Sequence, residues 1–156
     1  MLIDVKVKGQ MIVDHSNYDD TYLANILKRV KTIALVGASN KPARASHEVM
    51  MYLQASGYRV LPVNPGLAGS TLLGEKVYAS LQDIPGGVDM VEVFRRSEKV
   101  AEVCDEVLKT KSKIVWMQIG VMDNDVARTM ESEGIKVVMD LCPKREIPRL
   151  KRLGLL

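Results

Sequence analysis

The segment TIALVGASNKPARASHEV, residues 32–49, holds the residue types best suited to binding an anion. A β-rich run ends in a glycine, and a polar turn with two cations leads into a helical pattern. Backbone N–H groups at a helix N-terminus attract anions, and Arg can grip a phosphate through two hydrogen bonds. The segment therefore predicts a phosphate-binding turn formed by Gly37, Ala38, Ser39, Asn40, Lys41 and Arg44.

The turn after the second predicted strand argues against an NAD site. NAD sites place Asp or Glu at this point to bind the ribose hydroxyls, and NADP sites place an Arg nearby. This chain has Val63, Asn64 and Pro65 followed by a glycine, and no carboxylate occurs before Glu75. Two interpretations stay open: the three residues line an adenine or ribose pocket, or they simply form a turn.

Three further strand ends contribute candidates to the same edge of the predicted sheet. Phe94 either covers the ribose or extended arm of a ligand or belongs to the core, and Arg95 beside it adds positive charge. Gln118 and Gly120 follow the fourth strand, and Cys142 follows the fifth. Cys142 is a candidate nucleophile, but no histidine lies near it in sequence, which favours a buried structural cysteine.

No catalytic or metal-binding motif accompanies these residues. The chain lacks the G-x-S-x-G, HExxH and paired-carboxylate patterns. His47 falls inside the first helix after the turn, where it either reaches a phosphate or is an ordinary histidine. Cys104 and Cys142 are far apart and the chain has only two histidines, so the spacing predicts no metal site and two free thiols.

Strand and helix patterns alternate along the whole chain. Short apolar runs predict strands over residues 33–36, 58–63, 88–93, 113–117 and 135–139. Helical patterns predict helices over residues 19–30, 43–56, 97–109 and 123–133, with Ser97 as a helix cap and a last short helix after Pro143. We therefore expect one Rossmann-like domain over residues 1–156, with a lead-in at 1–18. Its doubly wound, parallel five-stranded sheet would have strand order 3-2-1-4-5 in a three-layer α/β/α arrangement.

Composition excludes several classes of protein. The 156-residue chain has a net charge of +3, which is mild for a nucleic-acid-binding protein. No apolar run is long enough to span a bilayer, and the N-terminus does not resemble a signal peptide. We therefore expect a cytoplasmic protein that binds neither nucleic acid nor membrane, and we interpret the basic residues between 144 and 152 as a solvated face.

Five motifs, in order and each at a predicted strand end, resemble those of a known family. They read VGASNKPAR, VNPG, VEVFRR, WMQIGV and MDLCPK. Together they resemble the small single-domain CoA-binding proteins, which are similar to the N-terminal CoA-binding domain of the succinyl-CoA ligase α-subunit. The resemblance extends from about residue 20 to about residue 148. The catalytic phosphohistidine of the ligase lies in a later domain, so the ligase chemistry does not carry over.

The resemblance implies a role for each candidate residue. The residues from Gly37 to Lys41, with Arg44, would hold the CoA phosphates. Val63, Asn64 and Pro65 would contact the adenosine, and Phe94 and Arg95 would line the adjoining groove. Gln118, Gly120 and Cys142 match the family's motifs after the fourth and fifth strands.

The charge of the ligand agrees with this resemblance. CoA carries a pyrophosphate and a 3′-phosphate, so it suits a turn with two cations and would be repelled by a carboxylate after the second strand. We expect a non-catalytic binding or regulatory module for CoA or acyl-CoA. Alternatives are an NAD(P)- or acyl-CoA-dependent enzyme using the same site, or an interaction protein with a vestigial site. The sequence leaves open whether the protein binds a protein partner or forms a homo-oligomer.

Overall fold

The computed structural model describes residues 6–7, 10–11 and 13–156. Five parallel strands form the main sheet, and two short antiparallel hairpins lie outside it. The strands are β1 (Lys6–Val7), β2 (Gln10–Met11), β3 (Thr32–Val36), β4 (Arg59–Val63), β5 (Thr71–Leu72), β6 (Glu75–Lys76), β7 (Met90–Val93), β8 (Ile114–Met117) and β9 (Lys136–Val138). The helices are α1 (Asp20–Arg29), α2 (Ala45–Ala55), α3 (Val100–Leu108), α4 (Asn124–Ser132) and α5 (Pro143–Arg152). The predicted five-stranded parallel sheet is confirmed, whereas part of the predicted lead-in lies outside the described residues.

The main sheet has the strand order β4-β3-β7-β8-β9. Counted as the five predicted strands, this order is 2-1-3-4-5, so the predicted order 3-2-1-4-5 was wrong. Pro62 in β4 pairs with Leu35 of β3. A proline has no N–H to donate, so its strand belongs at the edge of a sheet and not between two neighbours. The connection over residues 64–89 therefore passes from β4 across β3 to β7.

Helices cover both faces of the sheet. The helices α1, α2 and α5 pack on one face, where Leu27, Met50 and Leu150 are buried. The helices α3 and α4 pack on the other face, where Val103 and Met130 are buried. This is the predicted three-layer arrangement. Within residues 6–7, 10–11 and 13–156, no helix is both long and apolar enough to cross a bilayer.

The third predicted helix begins later than the sequence suggests. Residues Ser97–Lys99 form a single 3-10 turn, and α3 starts at Val100. The hydroxyl oxygen of Ser97 accepts a hydrogen bond from the N–H of Met122 at 3.1 Å. The predicted capping role of Ser97 was therefore wrong, because its side chain instead ties the turn after β7 to the loop after β8.

Candidate functional site

The first strand of the main sheet ends in a turn that lies directly against its neighbours. Gly37 donates its N–H to the Val63 carbonyl at 3.0 Å, and Phe94 donates its N–H to the Val36 carbonyl at 2.8 Å. Gly37 has φ +91°, and a Cβ placed on it would lie 2.2 Å from the carbonyl oxygen of Phe94. A side chain is therefore excluded on two grounds, backbone conformation and space. The glycine brings the turn to the point between β3 and β7 where the strand order reverses.

A cavity of about 510 Å³ opens above this turn, at the carboxyl edge of the sheet. Eight of the predicted site residues line it: Gly37, Ala38, Ser39, Asn40, Lys41, Arg44, Asn64 and Phe94. Sequence analysis missed four others: Ala45, Ser46, Gly66 and Leu67. Ala45 and Ser46 form the first turn of α2, which begins two residues after the predicted start at residue 43. A prediction that placed the start at residue 45 would have identified both residues as part of the helix N-terminus at the cavity. The other two belong to a 3-10 turn after β4.

The cavity is electropositive because two cations and a helix N-terminus meet there. Lys41 and Arg44 are exposed, and within the described part of the chain no carboxylate lies within ion-pairing distance of either. The backbone folds tightly between them: the Lys41 N–H donates to the Ser39 hydroxyl at 3.1 Å and the Arg44 N–H to the Lys41 carbonyl at 3.0 Å. The N–H groups of the first turn of α2 add partial positive charge.

Asn64 braces the two loops that form the cavity. Its side-chain amide donates to the Ala38 carbonyl at 2.8 Å, and its side-chain oxygen accepts from the Gly66 N–H at 2.8 Å. Of the two interpretations left open by the sequence, the turn-forming role is present, and Asn64 also lines the cavity. Because its side-chain nitrogen and oxygen both hold backbone groups, the residue fixes the shape of the cavity wall.

A second cavity of about 350 Å³ adjoins the first and shares Gly37 and Asn64 with it. Val63, Pro65 and Arg95 line this second cavity. Its walls also include two carboxylates, which already have partners. Glu102 pairs with Lys99 at 3.3 Å, and Glu106 accepts a hydrogen bond from the Leu81 N–H at 3.4 Å.

Three predicted site residues line neither of these cavities. Gln118 and Cys142 are buried, and Cys142 is a free thiol at the N-cap of α5. Gly120 has φ +82°, and its N–H donates to the Asp140 carboxylate at 2.6 Å, which fixes the loop after β8. The suggested ligand contacts of these three residues stay predictions.

The two other candidate side chains lie in the interior. His47 is buried in α2 and lines neither cavity, and its Nδ1 atom has no hydrogen-bond partner within residues 6–7, 10–11 and 13–156. Cys104 lies on the buried side of α3, and burial raises the pKa of its thiol to about 12. Both positions favour structural roles. Within the described ranges, no three His, Cys, Asp or Glu residues are grouped closely enough to hold a metal ion.

Glu92 is a buried acid that sequence analysis missed. It lies in β7 between Leu35 of β3 and Trp116 of β8 and is fully buried. Among the residues that the structure describes, neither of its carboxylate oxygens has a hydrogen-bond partner. Burial, with a smaller effect from Cys142, raises its pKa well above the ordinary value. The one available signal was a glutamate inside the apolar run VDMVEV, where a solvent-facing residue would be out of place.

Known proteins that are similar to this chain identify its family. Residues 31–148 match the family model described as a CoA binding domain. The uncharacterized protein YneT of Bacillus subtilis is 41% identical over 122 residues, which are 78% of this chain and 89% of that protein. The solved structure of cell-free ID.343 from Thermus thermophilus is 40% identical with a TM-score of 0.81, covering 85% of this chain and 98% of that one.

A larger enzyme subunit contains a related segment. The α-subunit of acetate–CoA ligase [ADP-forming] I from Pyrococcus furiosus is 33% identical over 89 residues. The matched segment is 54% of this chain and only 19% of that subunit. The resemblance read from the five strand-end motifs is thus confirmed at the level of the family. By the match over residues 31–148, the chain belongs to the family of CoA-binding domains.

Proposed function

We propose that this protein binds coenzyme A, or an acyl-CoA, at the carboxyl edge of its sheet, as a non-catalytic binding or regulatory module of the cytoplasm. Family membership supports the ligand class. The observation that carries the proposal is the first cavity, where Lys41 and Arg44 flank the N-terminus of α2 without a carboxylate partner among the described residues.

The pyrophosphate of CoA would lie in the first cavity. A helix N-terminus supplies unpaired N–H groups, and nearby cations strengthen the attraction for a phosphate. Gly37 allows this backbone to turn closely against β7, and Ser39 and Asn40 place polar side chains on the same wall. Phe94 offers an apolar surface for the pantetheine arm at the boundary of this cavity.

The adenosine end would lie in the second cavity, which meets the first at Gly37 and Asn64. Arg95 is a cation on its wall without a carboxylate in ion-pairing range among the described residues. Lys99 holds Glu102 and the Leu81 N–H holds Glu106, and neither carboxylate is within ion-pairing distance of Arg95, so its guanidinium is available to a phosphate. We assign it to the 3′-phosphate, the group that distinguishes CoA from dephospho-CoA.

A binding role is favoured over thiol chemistry by the position of Cys142. Thiol catalysis needs an accessible thiolate with an activating neighbour. Cys142 is buried and lines neither cavity. The site therefore presents groups that hold a ligand, and the bound CoA would be kept or presented to a partner.

Mass spectrometry of small molecules retained by the natively purified protein tests this proposal. The expected result is the mass of CoA or of an acyl-CoA in the wild type and its loss from the Lys41→Ala plus Arg44→Ala variant. A matched variant, Lys151→Ala plus Arg152→Ala, removes the same charge from the exposed end of α5 and should keep the ligand. Retention of a different nucleotide by the wild type would contradict the proposal.

A further inference from the structure

A third cavity, of about 450 Å³, lies at the amino edge of the sheet, opposite the site described above. It lies between the end of α1 and the beginnings of β7, β8 and β9. Its apolar wall includes Ile26, Val30 and Val88, all buried. Its charged wall contains four cations and one acid: Arg29, Lys111, Lys113, Lys136 and Asp89.

The four cations have no carboxylate partner in the described ranges of the chain. All four side chains are exposed, and in the part of the chain that the structure describes none has a carboxylate within 4.0 Å. The one acid is already engaged, because the carboxylate of Asp89 accepts the N–H groups of Lys31 at 2.8 Å and Thr32 at 3.0 Å. Four positive charges and one negative charge leave the cavity with an excess of three.

The helix dipole explains one of the four cations, and the other three lie at the beginnings of β8 and β9. A basic residue in the last turn of a helix is favourable to the helix dipole, which accounts for Arg29 in α1. Lys111 and Lys113 precede β8, and Lys136 begins β9. The N–H of Lys136 donates to the Lys113 carbonyl at 2.9 Å, so the two lysines start adjacent strands. Several like charges around one cavity repel one another, and a bound anion would relieve that repulsion.

One of these cations is held in position. A Cβ on Gly87 would lie 3.1 Å from both Cγ and Cε of Lys111, so the lysine stem lies flat against this glycine. The apolar stem therefore covers the loop before β7, and Lys111 also lines the cavity. A cation restrained in this way loses less freedom when it binds an anion.

We propose that the amino-edge cavity is a second ligand site, separate from the CoA site, for a small polyanion with two or more phosphate groups. Three excess charges match a di- or triphosphate. The volume exceeds what the phosphates alone require, and the apolar wall offers a surface for an organic portion. The shared chemistry is the polyphosphate group, carried either by an inorganic polyphosphate or by a nucleotide.

Calorimetric titration with inorganic pyrophosphate and with ADP, in about 150 mM salt, tests this site. The parent protein carries Lys41→Ala plus Arg44→Ala, so that the first cavity does not contribute. We expect saturable binding that weakens at least tenfold after the further change Lys113→Gln plus Lys136→Gln. The equal charge change Lys151→Gln plus Arg152→Gln should alter it less than twofold.

The results show whether the site exists and which kind of polyphosphate it binds. Tighter binding of ADP supports the site and points to a nucleotide, whereas tighter binding of pyrophosphate supports it and points to an inorganic polyphosphate. Absence of saturable binding of both probes, or equal weakening in the two charge variants, would overturn it. Because the four substituted side chains are exposed, matching far-UV spectra and melting curves are expected for all variants. Failure of CoA to bind at the carboxyl edge would leave this test unaffected.

Discussion

Gly37 is the residue on which the shape of the candidate CoA site depends most. Alanine there would place its Cβ 2.2 Å from the carbonyl oxygen of Phe94, in a left-handed backbone conformation. We expect Gly37→Ala to lower the free energy of unfolding by about 2 to 4 kcal/mol, from strain and overpacking together. Urea denaturation measures this loss.

Gly69 provides the matched control for that variant. Its φ of +85° is similar, but a Cβ there would meet nothing within 4 Å. Gly69→Ala should therefore cost only the strain of the left-handed conformation, about 1 kcal/mol. Equal losses in the two variants would show that the close approach of Gly37 to Phe94 is unimportant for stability.

The buried carboxyl group of Glu92 leads us to expect that the stability of the protein depends on pH. Its pKa is raised in the folded protein by burial, from an ordinary value of 4.5. Above pH 4.5 the folded state holds a proton that the unfolded state releases, so stability falls as pH rises through this window. The fall is at most about 1.4 kcal/mol per pH unit for one proton.

Urea denaturation of the wild type and of Glu92→Gln at pH 5 and pH 8 tests that dependence. The amide cannot ionise, so the variant should gain stability relative to the wild type as pH rises. All other titrating groups are shared by the two proteins and cancel in the comparison. Parallel stability curves for the two proteins would mean that Glu92 is already ionised in the folded state.

The position of Arg95 leads us to expect that this residue discriminates between CoA and dephospho-CoA. If this side chain holds the 3′-phosphate, Arg95→Ala should weaken the binding of CoA about ten- to 100-fold, because a charged hydrogen bond contributes about 1.5 to 3 kcal/mol. The affinity for dephospho-CoA should stay unchanged. The neighbouring Arg96 is exposed, pairs with Glu98 at 3.4 Å and lines neither cavity of the proposed CoA site, so Arg96→Ala is the control. Equal weakening of both ligands by Arg95→Ala would contradict the assignment.

At the scale of elements, α5 is part of the core and not a loose tail. Leu150 and Ile147 are buried against the sheet and its neighbouring helices. We expect Leu150→Ala to lower the free energy of unfolding by about 2 to 5 kcal/mol, from lost burial and the cavity left behind. Lys151→Ala, on the exposed side of the same helix, should change it by less than about 0.5 kcal/mol. A loss below 1 kcal/mol for Leu150→Ala in urea denaturation would mean that α5 contributes little to the core.

The strands and helices could be predicted from local patterns, but their order in the sheet could not. Buried parallel strands are short apolar runs, and all five were found on this basis. The order depends on where the long connection after β4 crosses, which no local pattern records. Pro62 was the available signal, since it favours an edge position for β4. The contact between Ser97 and Met122, made across a sequence separation of 25 residues, was equally out of reach.

At the scale of the whole molecule, the parallel sheet explains why so much of the site could be predicted. The carboxyl ends of parallel strands meet at one edge, so residues far apart in sequence gather there. This rule placed Gly37, Asn64 and Phe94 around one cavity. The rule does not show which strand-end residues turn into the interior. It therefore could not distinguish Gln118 and Cys142, which line neither cavity of the proposed site, from the residues that do.

The two edges of the sheet carry separate sets of cations that have no carboxylate partner among the described residues. Lys41 and Arg44 lie at the carboxyl edge, and the four cations of the amino-edge cavity lie at the other. The proposed CoA site and the proposed polyphosphate site can therefore be inactivated independently. A modest net charge of +3 conceals this division, because acidic residues elsewhere offset both groups.

Isothermal titration of the wild type with CoA, beside Lys41→Ala plus Arg44→Ala, tests the central claim most directly. We predict saturable binding of one CoA per chain, weakened at least about 100-fold in the variant, because each of the two charged hydrogen bonds to a phosphate contributes about 1.5 to 3 kcal/mol. NAD should bind far more weakly than CoA. No binding at millimolar CoA, equal affinity for NAD, or an unchanged affinity in the variant would contradict the account.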